Sequence, residues 1–158
     1  VASIFDKRRL TAGQMGAVAE RRYGDAECLR QSGQNARANG VFYLGGLVIE
    51  CLLKARLLDQ YPSVGAARTP EGLSPSDRQV WQLIYRSHEL DEMLEYLPDI
   101  ERRLALADRI DGRGRTRRLK RICLEWSIFA RYSPLSSKMA EASEFLDDVK
   151  ELRTWLKQ

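Results

Sequence analysis

Apolar positions along this chain recur every three to four residues, and no convincing two-residue alternation develops anywhere, so helices and no strands are expected. A first long helix opens at Thr11, which has capping-box spacing to Gln14, and ends near Gly33. Its inner face would use Met15, Val18, Ala19, Ala26 and Leu29. A second, over roughly 36–60, puts Val41, Leu44, Val48, Leu52, Ala55 and Leu58 on one stripe and stops at Tyr61-Pro62. The region 61–75, with three prolines and two glycines, reads as a loop. Ser76 and Gln79 then have capping-box spacing for a short helix burying Val80, Trp81, Ile84 and Tyr85.

Ser87 is placed to cap the next helix, with Leu90, Met93, Leu94 and Leu97 inward and Glu89, Asp91 and Glu92 at its positive end. Pro98 restarts this helix toward Ile110. Segment 111–116, containing Asp-Gly-Arg-Gly-Arg, reads as a flexible basic hinge. Leu119, Ile122, Cys123, Trp126 and Ala130 mark a helix running to Pro134. Met139, Ala142, Leu146, Val149, Leu152 and Leu156 mark the last. No repeat or second domain shows. The expected fold is all-α: one domain over 1–158, an antiparallel up-and-down bundle of four main helices plus a short extra one.

Composition fits a packed bundle, with 44% hydrophobic and 30% charged residues. The most apolar stretch, 41–58, is interrupted by Glu50, Lys54 and Arg56, so it reads as a buried core helix rather than a membrane span. No secretory pattern opens the sequence, and a reducing cytoplasm is the expected setting. Cys28, Cys51 and Cys123 are scattered; with one histidine they cannot build a zinc site, and small buried thiols are expected. No metal or cofactor is called for. The net charge of +4 is unevenly spread. Ten Lys/Arg stand against four Asp/Glu over 101–131, whereas 88–99 holds five acids and no Lys or Arg.

Four features could carry chemistry. Glu50 and Lys54 stand at i and i+4 with the acid first, which is either an ordinary surface pair worth about 0.3–0.5 kcal/mol or a pair facing a groove or interface. Gly45-Gly46 beside it costs helix stability, about 1 kcal/mol each, and suggests close backbone approach. His88, the one histidine, is either a helix-start residue bonded to nearby backbone or a polar member of a site working near neutral pH. Arg131 and Tyr132 close a helix, where the cation meets the negative end of the dipole and could also present a phosphate-binding fork with a stacking ring. Arg113, Arg115, Arg117, Arg118, Lys120 and Arg121 form the densest charge run, a solvated face or a nucleic-acid-binding surface.

Taken together, YLGGLVIECLLKA (43–55), SHEL (87–90) and WSIFARYSP (126–134) resemble the bacterial kind of HEPN domain over about 20–157. In that superfamily an aromatic-small-Glu-x-x-x-Lys-Ala helix precedes a His-Asp-Leu-like helix start and an Arg-Tyr helix end. Here His88-Glu89-Leu90 replaces His-Asp-Leu. The resemblance implies a pocket or dimer groove gathering Glu50, Lys54, His88, Arg131 and Tyr132, a homodimer, RNA or a nucleotide as ligand, and a nucleotidyltransferase-type antitoxin as a partner. HEPN ribonucleases carry Arg, four to six residues, then His. His88 would need an arginine at 81, 82 or 83, where Trp81, Gln82 and Leu83 stand; Arg131 would need a histidine at 136–138, where Ser136, Ser137 and Lys138 stand. The leading expectation is therefore a non-catalytic or weakly catalytic RNA- or nucleotide-binding domain in a defence or toxin–antitoxin context. The alternatives are a divergent metal-independent endoribonuclease toxin, with His88 and Arg131 as its catalytic pair, and a helical protein-interaction module docking a partner on the Gly45-Gly46 face.

Overall fold

A computed structural model describes residues 9–158. Among them the chain is all-helical, without a strand: α1 (Ala12–Gln31), α2 (Ala38–Gln60), α3 (Pro62–Ala66), α4 (Pro75–Arg86), α5 (Leu90–Glu95), α6 (Pro98–Asp111), α7 (Arg115–Glu125) and α8 (Met139–Leu156). Short 3-10 turns, Asn35–Arg37 and Ile128–Tyr132, precede α2 and α8.

Helix α2 is the axis of the fold. It packs against α1, α8, α4, α5 and the Ile128–Tyr132 turn. Val41, Val48 and Leu52 of the expected stripe are buried, and so are Ile49, Leu53 and Leu57 behind it. A helix apolar nearly all round finds cover on nearly all sides. The capping box of α1 forms, Thr11 Oγ1 accepting from Gln14 N and Gln14 Oε1 from Thr11 N. Its contact face is small, Ala19 and Ala26, with Tyr23 between them; Met15, Val18 and Leu29 are only half-buried. All six apolar positions expected for α8 are buried. Two asparagines tie down its start: Asn35 Oδ1 accepts from Met139 N, and Asn39 bonds the backbone of Leu135 and Ser137.

The structure departs from the sequence reading at its breakpoints. Region 61–75 is not all loop: Pro62 opens the single-turn-plus helix α3, since proline suits a first helical position. The cap of α4 is Ser74, whose side chain accepts from Asp77 N, rather than Ser76; Pro75 at the first helical position sets the start two residues earlier. Ser87 ends α4 as its C-cap and does not cap the helix that follows. Its hydroxyl accepts from Glu89 N two residues on, and α5 begins at Leu90 without a side-chain cap. The thiols differ too: Cys28 is exposed and Cys51 half-buried, while burial pushes Cys51 up to about 11 and Cys123 to about 12.

The largest departure is at 126–134. Helix α7 stops at Glu125, Trp126 is extended, and Arg131 lies in a 3-10 turn rather than the last turn of an α-helix. Trp126 turns inward instead, seating its indole on Gly46 and donating Nε1–H to Phe42 O at 3.1 Å. Ser127 Oγ accepts from Phe129 N and starts the new turn.

Candidate functional site

The site is built on one face of α2. Glu50 Oε1 and Lys54 Nζ lie 2.7 Å apart, and the two residues are 4% and 7% exposed, so this is a buried ion pair and not a surface one. The extended 87–89 segment crosses above it. Lys54 Nζ also donates to Ser87 O at 2.9 Å, and His88 Nδ1 meets Glu50 Oε1 at 2.9 Å. One carboxylate oxygen thus serves both Lys54 and His88, while Oε2 is enclosed with no partner among the described residues. A buried charge is tolerable only when paired and hydrogen-bonded, and Lys54 fulfils that with both of its contacts.

His88 is 45% exposed on its side chain. A carboxylate can only accept, so the hydrogen on Nδ1 points at Glu50 and the tautomer is set. The free ring nitrogen, Nε2, is then the one left for solvent or a ligand.

Two helical turns toward the N-terminus, on the same face as Glu50, stands Tyr43. Seven residues of helix separate them, about 10 Å of rise. Arg131 Nη1 donates to Tyr43 Oη at 3.2 Å, with its guanidinium 5.5 Å from the Tyr43 ring centre and 4.5 Å from that of Tyr132. Tyr43 in turn stacks with Trp126 at 6.5 Å and 22°. Arg131 and Tyr132 are both exposed. The five site residues from the sequence therefore form two groups along one face: Glu50, Lys54 and His88 in direct contact, Arg131 and Tyr132 around Tyr43. Sequence reasoning passed over Tyr43 as a site residue; its i, i+7 relation to Glu50 was the available signal.

Gly45-Gly46 is filled from within. A Cβ on Gly46 would lie 1.9 Å from Trp126 Nε1, and one on Gly45 would lie 2.6 Å from Phe145 Cε1. The glycine pair admits this chain's own rings, which removes the motive for a partner docking there and for a dimer through that face.

The basic run is largely an ion-pair network. Arg115, 3% exposed, bonds Asp111 at 2.6 Å and Glu151 at 2.8 Å and has Asp108 at 3.4 Å. Arg118 holds Asp148 and Glu151, Arg121 holds Asp148, Lys120 holds Glu101, and Arg113 lies 3.7 Å from Asp111. Arg117 has no carboxylate partner among the described residues. The expected hinge is a braced corner. Gly112 and Gly114 take left-handed φ of 67° and 66°, and Asp108 accepts from Arg115 N and Thr116 N at the start of α7. The Arg115 guanidinium holds the Asp111 carboxyl down to about 2. Burial raises Asp108, but bonds from Thr116 and Arg115 bring it below the ordinary carboxylate range.

Among the described residues no cluster of metal-ligating side chains occurs, and no helix is long and apolar enough to cross a membrane. Comparison with protein-family models, curated proteins and solved structures finds no match for this chain.

Proposed function

We propose that this chain is a HEPN-type domain, its four main helices in an antiparallel up-and-down bundle, that binds RNA or a nucleotide without cleaving it. The observation that carries the reading is the α2 face. A histidine oriented by a buried carboxylate and an arginine held between two tyrosines line up there, with exposed ring and guanidinium surface beside them. Arg131 supplies a planar donor fork for phosphate, Tyr132 a stacking surface, and His88 Nε2 a hydrogen-bonding group about two turns away. Lys54 does not reach the ligand, because Glu50 and Ser87 O hold its ammonium. The three sequence motifs, rather than any contact, support the wider context: a symmetric dimer in a defence or toxin–antitoxin setting, with a nucleotidyltransferase-type partner.

A second reading, a divergent metal-independent endoribonuclease, is favoured by one observation. Nδ1 of His88 bonded to Glu50 leaves Nε2 as a candidate general base. The non-catalytic reading is preferred because the nearest cation, Lys54, is committed and Arg131 is held two turns away by Tyr43. Filter binding of a short single-stranded RNA, across a salt series and with chelator present, tests the proposal. Binding should weaken with salt and fall in Arg131→Ala, with intact RNA recovered. Salt-independent or absent binding of both RNA and mononucleotides would overturn it.

A further inference from the structure

We propose that the cavity beside Trp126 is a base pocket selective for guanine. The proposal rests on the RNA or nucleotide reading and names which base the ligand carries. The cavity, about 410 Å³, is bounded by α2, α7, the Ile128–Tyr132 turn and α8. Phe42, Phe145, Trp126 and Leu135 line it, with Arg121 and Glu125 at its exposed edge. Its size is that of a small-ligand site, usually about 300–1,000 Å³. Its wall also carries Asn39, Ser127, Ser133 and Ser137, of which Asn39, Ser127 and Ser133 already bond backbone groups. Aromatic surface of this kind takes any base by stacking, so the walls alone do not choose among bases. Trp126 is fixed in place, since its Nε1–H is already given to Phe42 O and its ring rests on Gly46. Phe42 and Phe145 brace each other at 5.0 Å.

The edge makes the choice. Asp148 holds the Arg121 guanidinium at 2.8 Å, so that cation is already paired. Glu125 is exposed and takes part in no ion pair or hydrogen bond among the described residues. The uncommitted charge at the cavity is thus a carboxylate, which accepts and never donates. Two oxygens side by side call for two adjacent N–H groups. Of the RNA bases, guanine alone offers such a pair, the ring N–H and the neighbouring amino group of its Watson–Crick edge. Adenine and cytosine set one amino group beside an acceptor nitrogen, and uracil sets one N–H between two carbonyls. The same short segment carries Ala130 and Ser133, which line the cavity, and Arg131 with Tyr132, which form the proposed phosphate site. Base and phosphate sites are therefore adjoining parts of one structural element.

Calorimetric titration of the full chain with guanosine, inosine, adenosine and uridine monophosphates tests this. Inosine monophosphate differs from the guanosine form only by lacking the amino group. The guanosine form should bind about tenfold tighter than any of the others, the discrimination expected of one two-pronged base contact. Glu125→Ala should bring it to the level of adenosine monophosphate; an exposed, unpaired side chain can be removed with the fold intact. Ala130→Phe, which fills the cavity, should weaken all four, with circular dichroism unchanged. Equal affinity for all four nucleotides, or a guanosine preference that survives Glu125→Ala, would overturn the pocket. If those equal affinities are all lost in Arg131→Ala, the phosphate reading stands without the base pocket. If no nucleotide and no RNA binds, both fall.

Discussion

Replacing Gly46 with alanine should destabilise this protein, whereas the same replacement at Gly24 should stabilise it. Both glycines lie inside helices, α2 and α1, where alanine is intrinsically better by about 1 kcal/mol. At Gly24 an added Cβ meets nothing within 4 Å, so most of that gain should appear, about 0.5–1 kcal/mol. At Gly46 the methyl would lie 1.9 Å from Trp126 Nε1 and 2.1 Å from Cδ1, and the indole must move. Forcing extra volume into a packed site costs about 1–3 kcal/mol. Displacing the indole also loses its bond to Phe42 O, about 1 kcal/mol more. Set against the helix gain, the net loss is about 1–3 kcal/mol, with the midpoint falling by about 2–4 °C for each kcal/mol in a chain of this size. Urea and thermal unfolding followed by circular dichroism measure both variants, and tryptophan emission reports the displaced indole. Gly46→Ala should cost less, or become stabilising, once Trp126 is replaced by alanine, because the three atoms nearest the added methyl all belong to that indole. A Gly46→Ala variant as stable as Gly24→Ala in the wild-type background would refute the packing argument.

The charged groups give four further outcomes. Arg115→Ala should cost about 1–3 kcal/mol, since it removes the shared partner of the partly exposed Asp108, Asp111 and Glu151; urea unfolding at neutral pH measures it. The Asp111 carboxyl is held down to about 2 from an ordinary 3.8, so its contribution is present above about pH 4 and lost as pH falls from 4 toward 2; Arg115→Ala should flatten stability across that window in acid titrations. Arg118→Glu, facing Asp148 and Glu151, should lower the unfolding midpoint markedly, whereas Arg117→Glu should leave it within error. Glu50→Gln should destabilise by about 3–5 kcal/mol by leaving Lys54 buried without its counter-charge, and the loss should be smaller with Lys54→Met added.

The helical class and the main apolar faces could be read from periodicity alone, because burial on α2 and α8 is set by the same three-to-four-residue spacing that sequence displays. What could not be read depends on groups distant in the chain. Trp126 has the spacing to continue α7, but a gap above Gly46, eighty residues earlier in the chain, draws it inward and ends the helix. Ser76 and Gln79 have correct local spacing for a cap, yet Pro75 lets Ser74 start α4 sooner. In the site, the pairing of Glu50 with Lys54 was visible as a four-residue interval, and the SHEL and WSIFARYSP motifs marked His88 and Arg131. Their burial and division into two groups were not, because the crossing of the 87–89 segment over α2 is a tertiary contact. The basic run misled for the same reason: its cations meet acids on α6 and α8, so a local count overstates the charge left for a ligand.

A phosphate-bearing ligand settling on the α2 face between His88 and Arg131, as proposed, would change the surroundings of the His88 ring. Because the chain has one histidine, its imidazole gives a single set of nuclear magnetic resonance signals that needs no assignment by mutation. Those signals should shift as short RNA or a nucleotide is added, saturating with the same affinity as filter binding or calorimetry, and the shift should vanish in Arg131→Ala while the RNA stays intact. Saturable binding that leaves the His88 signals unmoved would place the ligand elsewhere and contradict the account.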